Sequence, residues 1–168
     1  LVIQLGRWRR QVTIDNVAAC ADTPVPAEKS RMPKNKGEGD IPLMAFATGA
    51  VDALECVVRK IGVDDTEFTK PTGGGRIHLY VGDGSINPPG PGGPYALGGA
   101  NAGANTPMEA TLVGSPSTLA QYDVLLLPCK GARHDRSNAE LTNLRNYANS
   151  GGRIFATHFS YVWFYTNN

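Results

Sequence analysis

Residues 122–160, YDVLLLPCKGARHDRSNAELTNLRNYANSGGRIFATHFS, constrain the fold more than any other part of the chain. Tyr122–Leu127 is a continuous apolar run of strand length. Ser137 and Glu140 stand at capping-box spacing and open a helix. Leu141, Leu144 and Ala148, with Tyr147 beside them, lay one apolar stripe along it. Gly151-Gly152 ends the helix, and Arg153–Thr157 reads as a second buried strand. A strand–helix–strand unit this short predicts a parallel pair with a right-handed crossover. It also puts Cys129 and His158 at the carboxyl ends of neighbouring strands, where open α/β sheets hold their ligands.

The same grammar recurs upstream. Ile41–Ala47 reads as a buried strand and Thr48–Val51 as a turn. Asp52 is expected to cap a helix with Glu55 as its box partner, and Leu54, Val57, Val58 and Ile61 form its apolar stripe before Gly62. A short strand is expected at Thr66–Thr69 and a clear one at Arg76–Val81; Ser115–Gln121 reads as a turn or short helix. The predicted class is therefore α/β, a parallel sheet flanked by helices over residues 41–168. An N-terminal β arm and a long Gly/Pro-rich loop accompany it.

The remaining segments carry less order. Residues 1–14 alternate as one strand with no evident hairpin partner, and Leu1 opens in mid-strand, as in a piece of a longer chain. Residues 15–40, with three prolines and little periodicity, read as an extended linker. Residues 82–107 hold eight Gly, five Pro and one charge, too little apolar surface to offset the entropy of ordering them. GDGSINPPGPGG within that excursion lacks a following helix and a Lys-Ser/Thr pair, so a phosphate loop is not expected.

Sixteen basic against fifteen acidic residues leave a net charge of +1, and the one basic cluster, Arg7, Arg9 and Arg10 around Trp8, reads as a solvated strand face. No nucleic-acid partner is expected. No apolar run approaches the roughly 20 residues of a membrane span. Low charge with 20 Gly and 12 Pro suits a secreted or cell-envelope protein. In that setting Cys20 and Cys56 are the expected disulfide; free thiols are the other reading.

Three site readings follow from the residues. His158 is a general base or metal ligand at the sheet edge, or a hydrogen-bonded structural histidine. Cys129 beside it is a nucleophile, a small buried residue, or one half of a disulfide to a further segment. Asp52 lies at the first strand's end but is already used as a cap. His134 and Asp135 read as a solvated loop and His78 as a sheet-face residue; their spacing with His158 supports no metal, and no cofactor is expected. The tail Phe159, Tyr161, Trp163, Phe164 and Tyr165 would be a liability if bare, so a cover is expected from the domain, a further segment or a partner chain.

A strand followed by Thr48-Gly49, a helix ending in Lys60-Ile61-Gly62, "YDVLLLP" and "NSGGRIFATH" together resemble class I glutamine amidotransferase-like domains of flavodoxin-like architecture. Within these the chain is most similar to the ThuA-like (trehalose-utilisation type) proteins. The likeness covers residues 41–69 and 121–160. "QLGRWRRQVTI", "EGDIP", "ALECVVRKIG" and "GGRIFATHFSYVW" further resemble a group of secreted proteins and lipoproteins of environmental bacteria, myxobacteria among them. There a carboxypeptidase-regulatory-like β-sandwich comes first, which would make residues 1–14 its last strand. The resemblance implies a fold more than a reaction: where amidotransferases carry their cysteine nucleophile, this chain has His158. The expected function is a non-catalytic extracellular or cell-envelope module for partner binding or self-assembly. The alternatives are a hydrolase using Cys129 and His158 with Asp52, and a carbohydrate-binding module using Tyr161, Trp163, Phe164 and Tyr165.

Overall fold

Small and large residues alternate along the central strand, and this divides the molecule into two layers. A computed structural model describes residues 1–49, 51–82 and 105–165. Its main sheet has five parallel strands: β3 (Met44–Thr48), β4 (Phe68–Thr69), β5 (Ile77–Val81), β6 (Val124–Leu127) and β7 (Arg153–Ala156), in the order β4-β5-β3-β6-β7. Ala45 and Ala47 face one core with Tyr80, Leu125 and Leu127. Met44 and Phe46 face the other with Ile77 and Leu79. On the alanine side lie the helices α2 (Glu109–Val113), α3 (Pro116–Leu119) and α4 (Asn138–Asn149), with a 3₁₀ tail helix, His158–Phe164. On the other side lies α1 (Leu54–Lys60), supported by Trp8, Ile41 and Val63. No described helix is long and apolar enough to cross a membrane.

Helix α4 forms as its sequence directs. The Ser137 hydroxyl accepts from the Glu140 amide while the Glu140 carboxylate accepts from the Ser137 amide. Leu144 and Tyr147 are buried, and Gly151 ends the helix at φ +96°. Gly152 lies flat beneath the Tyr147 ring, where a Cβ would come within 2.5 Å of ring carbons. The Tyr147 hydroxyl donates to the carbonyls of Tyr122 and Arg153, and burial raises its pKa to about 12. His78 is a buried sheet-face residue bonded to the Tyr122 hydroxyl at 2.9 Å, and burial lowers its pKa.

Several expectations are corrected. Residues 1–14 are a hairpin, β1 (Val2–Leu5) against β2 (Trp8–Gln11). Gly6, at φ +60°, takes the first position of the two-residue turn, the chemistry of a type II′ hairpin. Residues 15–40 are irregular, yet their second half is tied down: Arg31 grips Glu38 through two bonds and holds its carboxyl down to about 2, and Trp8 Nε1 donates to the Pro33 carbonyl. Helix α1 is only seven residues long and buries Val58, leaving Val57 and Ile61 exposed. Strand β7 is an edge, not a buried strand: Phe155 is 54% exposed because α1 does not reach across it. The excursion 82–107 and its glycine-rich run fall mostly outside the described residues. The short helix α2, just beyond that excursion, has no counterpart in the sequence reading.

Replacing Ser137 by Ala removes one side of the capping box and is expected to lower stability by about 1 kcal/mol. A urea denaturation midpoint unchanged in Ser137→Ala would contradict this account of α4.

Candidate functional site

At the carboxyl end of the sheet two loops meet. Thr48, buried at the end of β3, donates from Oγ1 to the Tyr80 carbonyl at 3.0 Å. Gly49 then passes so close to the loop after β6 that a Cβ would lie 2.3 Å from the Cys129 carbonyl oxygen. That oxygen accepts from the amides of Val51 (3.2 Å) and Asp52 (3.4 Å). The main chain itself therefore closes the crevice between the ends of β3 and β6.

Asp52 does not cap α1. The cap position falls to Ala53, which makes no side-chain cap bond, because the Asp52 carboxylate accepts instead from Thr157 Oγ1 at 2.5 Å. Thr157 Oγ1 in turn accepts from the Cys129 amide at 2.9 Å. Next along the chain, His158 turns at φ +39°, a left-handed conformation that costs a residue with a Cβ, and enters the tail helix. Its Nδ1 lies 3.3 Å from Cys129 Sγ, and the Gly131 amide also donates to that sulfur at 3.4 Å. Cys129, His158 and Asp52 thus meet at one place, joined by Thr157, which the sequence reading did not single out.

Access to the pair is uneven. His158 is exposed, whereas Cys129 is 0% exposed. Cys129, His158 and Asp52 line neither the groove beside α4, nor the cleft under the N-terminal hairpin, nor the small cavity beside Phe159. The arrangement can polarise a thiol, but the sulfur has no open face for a substrate. Cys20 and Cys56 are not bonded; Cys20 stands in a run of exposed residues, 15–22, that nothing holds against α1. Asp135 is engaged by Arg133, and His134 lies beside Arg136 and Phe159. No cluster of three metal-ligating side chains occurs among the described residues.

Two features were not legible in the sequence. The first is a buried charge cluster beneath the tail helix. The Lys130 ammonium bonds the Glu109 carboxylate, and the Arg136 guanidinium lies 3.5 Å from it and 4.2 Å above the Trp163 ring. These residues are 21 and 6 positions apart along the chain, and no local rule pairs them. The second is Glu55, 1% exposed in the first turn of α1, with neither carboxylate oxygen hydrogen-bonded. Had Asp52 capped the helix, Glu55 would have folded back to it; with Asp52 drawn to Thr157, its carboxyl is left in the interior.

The tail is partly covered. Trp163 is buried, Phe159 half-buried, and Tyr161, Phe164 and Tyr165 are exposed, so the expected cover is incomplete among the described residues. Tyr161 and Tyr165 stack at 5.6 Å with 17° between planes, and Arg133 lies 5.6 Å over Tyr165. Between the tail and α4 opens a cavity of about 510 Å³. The tail lines it with Trp163, Phe164 and Tyr165, β7 with Ile154, and α4 with both apolar Leu141 and Leu144 and polar Asn138, Thr142, Arg145 and Asn149.

No protein-family model matches the chain, and neither the curated proteins nor the solved structures contain a match to it.

Glu55 yields a pH prediction. Burial, offset only in part by its own backbone amide, raises its pKa to about 7, above the 4.5 of an exposed glutamate. Between these values the folded state holds a proton that the unfolded state has released, so stability falls as pH rises from about 4.5 to 7. The full effect is on the order of 3 kcal/mol. Glu55→Gln is expected to flatten this slope and to unfold at higher urea than wild type at pH 8. A parallel slope in both proteins would remove Glu55 as its source.

Proposed function

We propose that this chain is a non-catalytic binding module of the cell exterior or envelope, and that its ligand surface is the groove between α4 and the tail helix. The reading rests chiefly on one observation. The crevice where parallel α/β sheets bind their ligands is filled by the chain's own backbone at Gly49 and Cys129, while the groove beside the tail stands open. The fold in this reading is flavodoxin-like, of the amidotransferase and ThuA-like kind. Setting aside the two-residue β4, the order β5-β3-β6-β7 follows the 2-1-3-4 pattern of such sheets. An extracellular setting is supported by the low charge and high Gly and Pro content.

The chemistry of the groove favours a saccharide. Sugar rings present apolar C–H faces and a rim of hydroxyls. A groove whose lining combines three aromatic rings with amides, a hydroxyl and a guanidinium meets both requirements. Phe164 and Tyr165 offer the stacking faces; Asn138, Asn149 and Arg145 offer the polar contacts. In a glycan array, wild type is expected to bind at least one glycan class, and Phe164→Ala to weaken that binding roughly tenfold, about 1.4 kcal/mol. Silence across the array would overturn the saccharide. Silence together with a concentration-dependent dimer in light scattering, lost in Phe164→Ala, would give the groove to self-assembly instead.

A second reading has its own support. The Cys129–His158 contact and the strained φ of His158 are what a thiol hydrolase would need at this edge, with Asp52 acting through Thr157. The binding reading expects Cys129 to resist alkylation in the native protein while exposed Cys20 reacts at once. Rapid native labelling of Cys129, slowed in His158→Ala, would favour the hydrolase.

A further inference from the structure

The opposite end of the sheet holds a second cavity, of about 580 Å³, between the N-terminal hairpin and the segments that lead into β3, β5 and β6. Its charged lining is unequal: Arg7, Arg9, Lys36 and Arg76 against Asp40 and Asp123. Asp123 is already occupied. One oxygen takes Arg7 at 2.5 Å and the other takes the Leu43 amide at 2.8 Å. The other three cations are held by neutral groups. Arg9 donates to the Gln11 side chain at 3.1 Å, Lys36 to the Gly74 carbonyl at 2.5 Å, and Arg76 through Nε to the Ile41 carbonyl at 2.8 Å. None of the three forms an ion pair with any described residue. Their positions are thus set, and with Asp123 taken by Arg7 only Asp40 is left in the lining against three cations.

We propose that this cleft binds a small ligand bearing two adjacent oxyanion groups, such as a diphosphate or a disulfated sugar. Three cations against the single remaining carboxylate of Asp40 leave the cavity net positive, which a bound anion would offset, and guanidinium groups match phosphate and sulfate oxygens through paired N–H donors. The hairpin brings Arg9 to the cleft. In its antiparallel register Gln4 and Arg9 are directly opposed, so both side chains share one face, and both line the cavity. The Arg9 and Asp40 backbones exchange hydrogen bonds of 2.9 and 2.7 Å, which anchors that face over the sheet. The cavity has the volume of a small-molecule site rather than of a surface for a polymer.

The test uses the whole chain and isothermal titration with inorganic pyrophosphate, with phosphate and sulfate as separate arms. Pyrophosphate is expected to bind saturably at about 50 mM salt and several-fold more weakly at about 150 mM. A phosphate site shows pyrophosphate and phosphate ahead of sulfate; a sulfate site shows the reverse. Arg9→Gln and Lys36→Gln are each expected to weaken binding at least fivefold, with circular dichroism confirming that both remain folded. Lys60→Gln, a surface cation at the end of α1, is expected to bind as wild type does. No saturable binding at millimolar pyrophosphate, affinity unchanged in Arg9→Gln and Lys36→Gln, or an equal loss in Lys60→Gln would each overturn the proposal.

Discussion

The carbonyl of Cys129 is the contact on which the carboxyl end of this fold depends. It draws the amides of Val51 and Asp52 onto the loop after β6, and only a glycine at 49 permits that approach. With the loops in register, Asp52 reaches Thr157, Thr157 fixes the Cys129 amide, and His158 is turned toward the thiol. Each bond uses a polar group that would otherwise face a closing interior without a partner, where leaving it unmade costs about 1–3 kcal/mol. The network therefore has a structural explanation before it has a catalytic one. Its cost falls on α1, which loses a side-chain cap and keeps an unpaired carboxyl at Glu55.

The two faces of the sheet are finished differently. On the alanine side three helices and the tail cover β5, β3, β6 and β7, and the Lys130–Glu109–Arg136 cluster sits beneath the tail with Trp163 laid over it. A buried cluster of this kind adds little net stability over an apolar core, but removing one member leaves a charge stranded. On the other side the seven-residue α1 joins the cluster of Phe46, Phe68 and Leu79 but does not reach β7, so Phe155 stands exposed on that edge.

What the sequence disclosed and what it hid divide along contact range. The α4 capping box, the Gly151 stop and the parallel β6–β7 pair were legible because each is a local rule. The meeting of Cys129 with His158 followed from adjacent strand ends alone. Gly6 carried a hairpin signal that the alternation of residues 1–14 obscured. Asp52 was misread because a cap and a tertiary hydrogen bond compete for the same carboxylate, and the competitor, Thr157, lies 105 residues away. The edge status of β7 was hidden for a related reason: RIFA reads as apolar whichever side is covered. Glu109, Lys130 and Arg136 have no local signature at all, since a buried charge is recognised only by the partner folded onto it.

Helix electrostatics bears on how several cations share the amino end of the sheet. In a parallel α/β unit the helices run against the strands, so α4 ends at the edge where β7 begins. Helix C-termini carry partial negative charge, worth about 0.3–1 kcal/mol to a nearby cation. Arg153 stands directly after that terminus, its guanidinium 3.8 Å from where a Cβ on Gly6 would lie, so one cation at this edge is eased. The effect fades beyond the last turn of the helix and leaves Arg9, Lys36 and Arg76 largely untouched. Those three stay together because backbone carbonyls and an amide hold them in place, which fixes their geometry without cancelling their charge. In a chain with a net charge of only +1, three cations without an ion pair among the described residues line the cleft at the amino end of the sheet, while at its carboxyl end the backbone of Gly49 packs against that of Cys129.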